Sequence, residues 1–186
     1  MDGKVSLLRT IPNQITLSRI AFVPLLMFLI LFESDVSRIV AMVLFFLAAV
    51  SDVADGYLAR ILKQTSTFGK FADPIADKLL IAGALIALLQ LGELGAWAVM
   101  LIIAREFLVT GLRILAISEG KEIGASLLGK AKTISHVALV LAILADRSFA
   151  LGPGGSLAKT ACLILALALS AVSGAEYFYR SRRLFT

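Results

Sequence analysis

Between Asp52 and Asp77 an otherwise apolar chain carries the pattern Asp52-x-x-Asp55-Gly56-x-x-Ala59-Arg60, eight residues, then Gly69-x-x-x-Asp73-x-x-x-Asp77. Asp52 and Asp55 are three apart and Asp73 and Asp77 four apart, so on two helices each pair projects from one face. Four carboxylates in a poorly hydrated site repel, and protonation or bound cations must relieve them. Oxygen-only ligands suit Mg²⁺ or Mn²⁺, whose usual work in such a setting is to grip phosphate oxygens. The segment therefore points to phosphoryl chemistry inside a membrane. Gly56 and Gly69 allow a nucleotide or a neighbouring backbone to come close. Pro74 is expected in the first turn of its helix, with Asp73 where the helix dipole favours negative charge. Arg60 stands just over one turn beyond Asp55, where it can pair with a carboxylate or meet a phosphate. Lys63 and Lys78 read equally well as membrane-end anchors.

A second polar set is more dispersed. Asn13, Thr16 and Arg19 recur every three residues, Arg105-Glu106 and Arg113 lie in one apolar run, and Lys130, Lys132 and Thr133 lie in the next. Arg105 is too deep among Leu101-Ile102-Ile103-Ala104 and Phe107-Leu108-Val109 for a loop charge, and Glu106 is its natural compensation. If Arg105, Arg113, Lys130 and Lys132 converge, they form a pocket for a small phosphate-bearing substrate. His136, the single histidine, is expected to be a hydrogen-bonded packing residue. Cys162 argues neither for a disulfide nor for a thiolate nucleophile.

The elements that must position these residues are membrane helices. The 186 residues are 59% hydrophobic and 17% charged, with a mean hydropathy of +0.93, far from a soluble composition. One domain, 1–186, is expected, all-α and polytopic, with six transmembrane helices near 14–32, 37–61, 72–91, 95–117, 125–145 and 157–179. Residues 2–9 are expected to form a short interfacial helix ahead of them. Pro24 should kink the first span or be accommodated by a local defect. Gly152-Pro153-Gly154-Gly155 reads as an outer loop.

The net charge of +5 does not mark a nucleic-acid binder, because the basic residues are scattered among apolar segments without interleaved aromatics. Of the eighteen Lys and Arg residues, all but Arg38, Arg147 and Lys159 fall at or near one set of helix ends. By the positive-inside rule both termini and all four aspartates lie on the cytoplasmic side of the cell's inner membrane.

The aspartate pattern matches at every fixed position the signature of the CDP-alcohol phosphotransferase family, and the resemblance extends over essentially the whole chain. That resemblance implies six membrane helices, a cytoplasm-facing polar cavity, two divalent ions per subunit and a homodimer. It implies transfer of a substituted phosphoryl group from a CDP-linked donor to an alcohol, with release of CMP. It further implies that Asp52, Asp55 and Asp73 bind metal and that Asp77 combines metal binding with the role of base. Gly56, Ala59, Arg60 and Gly69, with the metal-binding aspartates, would then hold the CDP part.

Pro12-Asn13-x-x-Thr16-x-x-Arg19, Ala104-Arg105-Glu106 with Arg113, and Gly129-Lys130-x-Lys132-Thr133 resemble members that take CDP-diacylglycerol as donor and glycerol 3-phosphate as acceptor. Members using inositol phosphate also need a basic pocket. Outside the family, a divalent metal transporter would place carboxylates in the membrane. A membrane prenyltransferase would use aspartate-bound Mg²⁺, but with acidic motifs far apart in the chain.

Overall fold

The computed structural model describes residues 11–62, 67–119 and 126–182, with side chains described at 18, 20–51, 78–116, 118–119 and 126–182. These residues form six helices: α1 (Ile11–Leu31), α2 (Asp35–Leu62), α3 (Thr67–Gln90), α4 (Ala96–Ser118), α5 (Leu127–Phe149) and α6 (Gly152–Ser181). The expected interfacial helix at 2–9 lies outside the described residues, as does Lys63. The chain divides into two compact units, Met1–Gln90 and Leu91–Thr186.

In the first unit α1 packs chiefly on α3 and also on α2. Val23, Leu26 and Ile30 of α1 recur at three- and four-residue intervals and are buried, as are Ala41 and Phe45 of α2 and Leu80, Ala84, Leu85, Ala87 and Leu88 of α3. A β-carbon on Gly83 would stand 2.5 Å from Val23 Cγ1, so the bare glycine sets how closely α1 and α3 approach. Pro24 lies inside α1 without ending it. The start of α2 is a reciprocal serine cap. Ser37 N–H donates to Ser34 Oγ at 3.1 Å and Ser34 N–H to Ser37 Oγ at 3.2 Å, satisfying two donors that a helix start leaves open.

In the second unit α6 packs on α5 and on α4. Its core includes Ile102, Val109 and Leu112 of α4, Leu139, Val140, Ile143 and Leu144 of α5, and Ala166 and Tyr177 of α6. Gly152 to Gly155 form the first turn of α6 and not the expected loop. Proline is compatible with a first helical turn because its missing N–H would be unpaired there. Ala150, left-handed at φ 48°, closes α5 by donating its N–H to the Asp146 carbonyl at 2.9 Å, and Gly152 follows at φ 63°. A β-carbon on Gly155 would collide with the Asp146 carboxylate, so the turn between α5 and α6 is drawn tight.

The same end of this unit holds an ion-pair chain. Glu93 accepts from Arg147 Nη1 at 2.9 Å and from Lys159 Nζ at 3.0 Å, and Lys159 also meets Asp146 at 2.7 Å. Burial raises the Glu93 pKa, but the hydrogen bonds and charges of Lys159 and Arg147 outweigh it and hold the carboxyl below its usual value.

Among the described residues, α5 and α6 are each long and apolar enough to cross a membrane, and Ile20–Leu31 and Lys78–Gln90 are shorter apolar stretches. Only 17% of the apolar window of α6 is buried in the protein, whereas the core helix of a soluble protein would be largely covered. Val36, Val43, Phe46, Leu47 and Val50 of α2 and Leu157, Ile164, Leu165 and Val172 of α6 are likewise exposed. Apolar surface this continuous requires a hydrocarbon surround. The fold is thus all-α and membrane-associated.

Candidate active site

The acidic signature belongs to two helices of the first unit. Asp52, Asp55, Gly56, Ala59 and Arg60 lie on α2, and Gly69, Asp73 and Asp77 on α3; their side chains fall outside the described residues. The helical backbone gives each aspartate pair the common face expected from its spacing. One expectation is corrected. Because α3 begins at Thr67, Asp73 and Pro74 lie beyond its first turn, where the terminal dipole has little effect. Pro74 is instead an interior proline, unable to donate to the carbonyl four residues back. Asn13, Thr16 and Arg19 lie on α1, and their side chains too fall outside the described residues.

The second unit supplies a buried basic cluster. Arg105 of α4 donates from Nη1 to Glu106 Oε1 at 3.0 Å and from Nη2 to Ser173 Oγ of α6 at 2.8 Å. Lys132 of α5 donates to the same Glu106 oxygen. The side chains of Arg105, Glu106 and Lys132 are only 12%, 13% and 6% exposed, so two cations share one anion in a poorly hydrated place. Such a set keeps a net positive charge and suits an incoming phosphate. The Arg105 guanidinium lies 5.9 Å from the centre of the Tyr177 ring. A β-carbon on Gly174 would stand 3.3 Å from Arg105 Cγ, which shows how closely the arginine stem lies on α6.

The start of α5 is fixed at the same place. Ser126 Oγ accepts from Gly129 N–H at 3.0 Å, and Tyr177 Oη accepts from Ser126 N–H at 3.3 Å. His136, one turn beyond Lys132, is fully buried with Nε2 3.2 Å from Ser170 Oγ, a packing role as expected. Arg113 and Lys130 are exposed. Positions two apart on a helix point about 200° from each other, which is why Lys132 is buried and Lys130 is not. Thr133, also exposed, donates to the Gly129 carbonyl at 3.2 Å.

Sequence reading missed Ser170, Ser173, Gly174 and Tyr177. Their signal was present: intervals of three, one and three place them on one face of a helix, the face of α6 that meets Arg105 and His136. Glu106 was read as a partner for Arg105 alone, because its contact with Lys132 crosses between helices. Among the residues whose side chains are described, no group of three or more His, Cys, Asp or Glu is placed to hold a metal ion.

The chain is similar to known proteins over nearly its whole length. A Bacillus subtilis (strain 168) protein named CDP-diacylglycerol–glycerol-3-phosphate 3-phosphatidyltransferase is 40% identical over 189 residues, covering 92% of this chain and 94% of that protein. A Rickettsia bellii protein of the same name is 35% identical over 181 residues, covering 94% of this chain and 97% of its own. Residues 9–172 match the family model described as CDP-alcohol phosphatidyltransferase. With a match of that extent across both units, the chain belongs to the CDP-alcohol phosphatidyltransferase family.

Proposed function

We propose that this chain transfers the phosphatidyl group of CDP-diacylglycerol to sn-glycerol 3-phosphate, giving phosphatidylglycerol phosphate and CMP. The observation that carries the reading is the near-full-length likeness to the Bacillus and Rickettsia proteins named for that reaction. The buried Arg105–Glu106–Lys132 cluster supports it, since glycerol 3-phosphate is a compact dianion.

In this reading Asp52, Asp55 and Asp73, with Gly56, Ala59, Arg60 and Gly69, hold the CDP end of the donor. Asp77 takes the proton of the acceptor hydroxyl. The hydroxyl oxygen then bonds to the phosphorus that carries diacylglycerol, and the bond from that phosphorus to the CMP phosphate breaks. Arg105 and Lys132 hold the acceptor phosphate without the exposed Arg113 and Lys130, and Asn13, Thr16, Arg19 and Thr133 serve as supporting polar residues. Orientation of the two reactants accounts for much of the rate.

The donor chemistry of the aspartates fits Mg²⁺ or Mn²⁺, since every candidate ligand is a carboxylate, and the family resemblance implies two ions per subunit. Bound there, such ions would neutralise the diphosphate and stabilise charge on the leaving CMP. Residues 1–186 act as one membrane domain with six spans, both termini and the site on the cytoplasmic side of the inner membrane, and the protein works as a homodimer.

The test is purified protein supplied with CDP-diacylglycerol, glycerol 3-phosphate and Mg²⁺, followed by release of CMP and appearance of phosphatidylglycerol phosphate. Chelation should abolish turnover, and Mg²⁺ or Mn²⁺ should restore it. A clear preference for inositol phosphate, serine or phosphatidylglycerol as acceptor would overturn the substrate assignment. Metal flux through liposomes without CMP release would overturn the reaction class.

A further inference from the structure

One oxygen organises the basic cluster. Glu106 Oε1 accepts from Arg105 Nη1 and from Lys132 Nζ, bringing together cations of two different helices, α4 and α5. Without that shared acceptor, two positive groups in a low-dielectric interior repel, and long side chains swing toward water or lipid headgroups. Arg105 is held further by Ser173 at 2.8 Å and by the closeness of its stem to Gly174. These contacts use its two terminal nitrogens, whereas Arg105 Nε is buried with no hydrogen-bond partner. A buried donor without an acceptor is unfavourable, and a phosphate oxygen would satisfy it.

We infer that Glu106 is a positioning residue for the acceptor site, holding Arg105 and Lys132 side by side and leaving Arg105 Nε–H as the donor that an acceptor phosphate completes. The inference rests on the acceptor-phosphate reading of Arg105 and Lys132 given above. It assigns Glu106 no contact with substrate. The carboxylate acts through the two cations, and its single charge leaves the trio one unit positive.

The experiment uses full-length protein in detergent micelles and compares wild type with E106Q, E106D, R105A, K132M and the double variant E106Q/K132M. The readouts are KM for each substrate, and the dissociation constant of glycerol 3-phosphate measured by calorimetry without donor. E106Q should raise both glycerol 3-phosphate constants by roughly tenfold, the scale of one charged contact. The KM for CDP-diacylglycerol should move less than about twofold. E106D should recover part of the loss, because the charge remains with a shorter reach. The double variant should be no worse than K132M, since the two residues act as one unit.

Unchanged or tighter glycerol 3-phosphate binding by E106Q, while R105A and K132M weaken it, would overturn the positioning role and leave the acceptor reading standing. Equal losses for both substrates in E106Q and E106D, or fully additive losses in the double variant, would also overturn it, pointing to general structural damage. If R105A and K132M leave glycerol 3-phosphate binding intact, the acceptor reading itself fails and the inference with it. Should E106Q not fold, E106D decides: an acceptor KM equal to that of wild type would overturn the proposal.

Discussion

Tyr177, near the end of α6, accepts the backbone N–H of Ser126 at 3.3 Å, so a side chain 51 residues away in sequence closes the start of α5. The Ser126 hydroxyl meanwhile accepts from Gly129, and two donors that a helix start leaves open are satisfied. Tyr177→Phe keeps the ring beside Arg105 and removes only the acceptor. It should destabilise the protein by about 1 kcal/mol and speed hydrogen exchange at Ser126. Unaltered exchange at that amide would refute the link.

Arg105→Ala and Lys132→Ala should raise the KM for glycerol 3-phosphate, or lower its kcat/KM, by about ten- to a hundredfold, with much less change for CDP-diacylglycerol. Arg60→Ala should show the opposite bias, toward the donor. A two-substrate kinetic matrix on folded variants measures both. Equal losses for both substrates in all three would reject the division between donor and acceptor residues.

Asp77→Asn keeps the shape of the carboxyl group and removes its basicity. Turnover should fall by about 10²- to 10⁴-fold, with much of the CDP-diacylglycerol binding retained. Near-normal turnover of D77N across a pH series would exclude Asp77 as the base.

Glu93 makes stability depend on acid. Its folded pKa lies below the usual 4.5 because Lys159 and Arg147 favour the ionised form against the opposing effect of burial. The stabilisation is therefore complete above about pH 4.5, the unfolded value, and is lost as pH falls through the lower folded value. Thermal unfolding of wild type and Glu93→Gln as a function of pH checks this: their Tm difference should shrink as the solution is acidified below pH 4.5. A difference that stays constant through that range would show that the ion pairs do not set the acid limb.

The sequence by itself determined what depends on short intervals and on composition. The pairing of Asp52 with Asp55 and of Asp73 with Asp77 on helical faces follows from the helical period whatever the helices pack against, and the apolar content required a membrane fold. The depth of Arg105 was also legible, from its apolar neighbours. Helix ends were less so: the first turn of α6 at Gly152-Pro153 reads as a loop because glycine and proline mark both loops and helix starts. Only tertiary structure decided which charges meet. Lys132 lies on Glu106 while Lys130, two residues away, is exposed; Tyr177 closes α5; Glu93 gathers Arg147 and Lys159. Each of these contacts joins separate elements, and its geometry depends on how helices pack, a relation that no local period encodes.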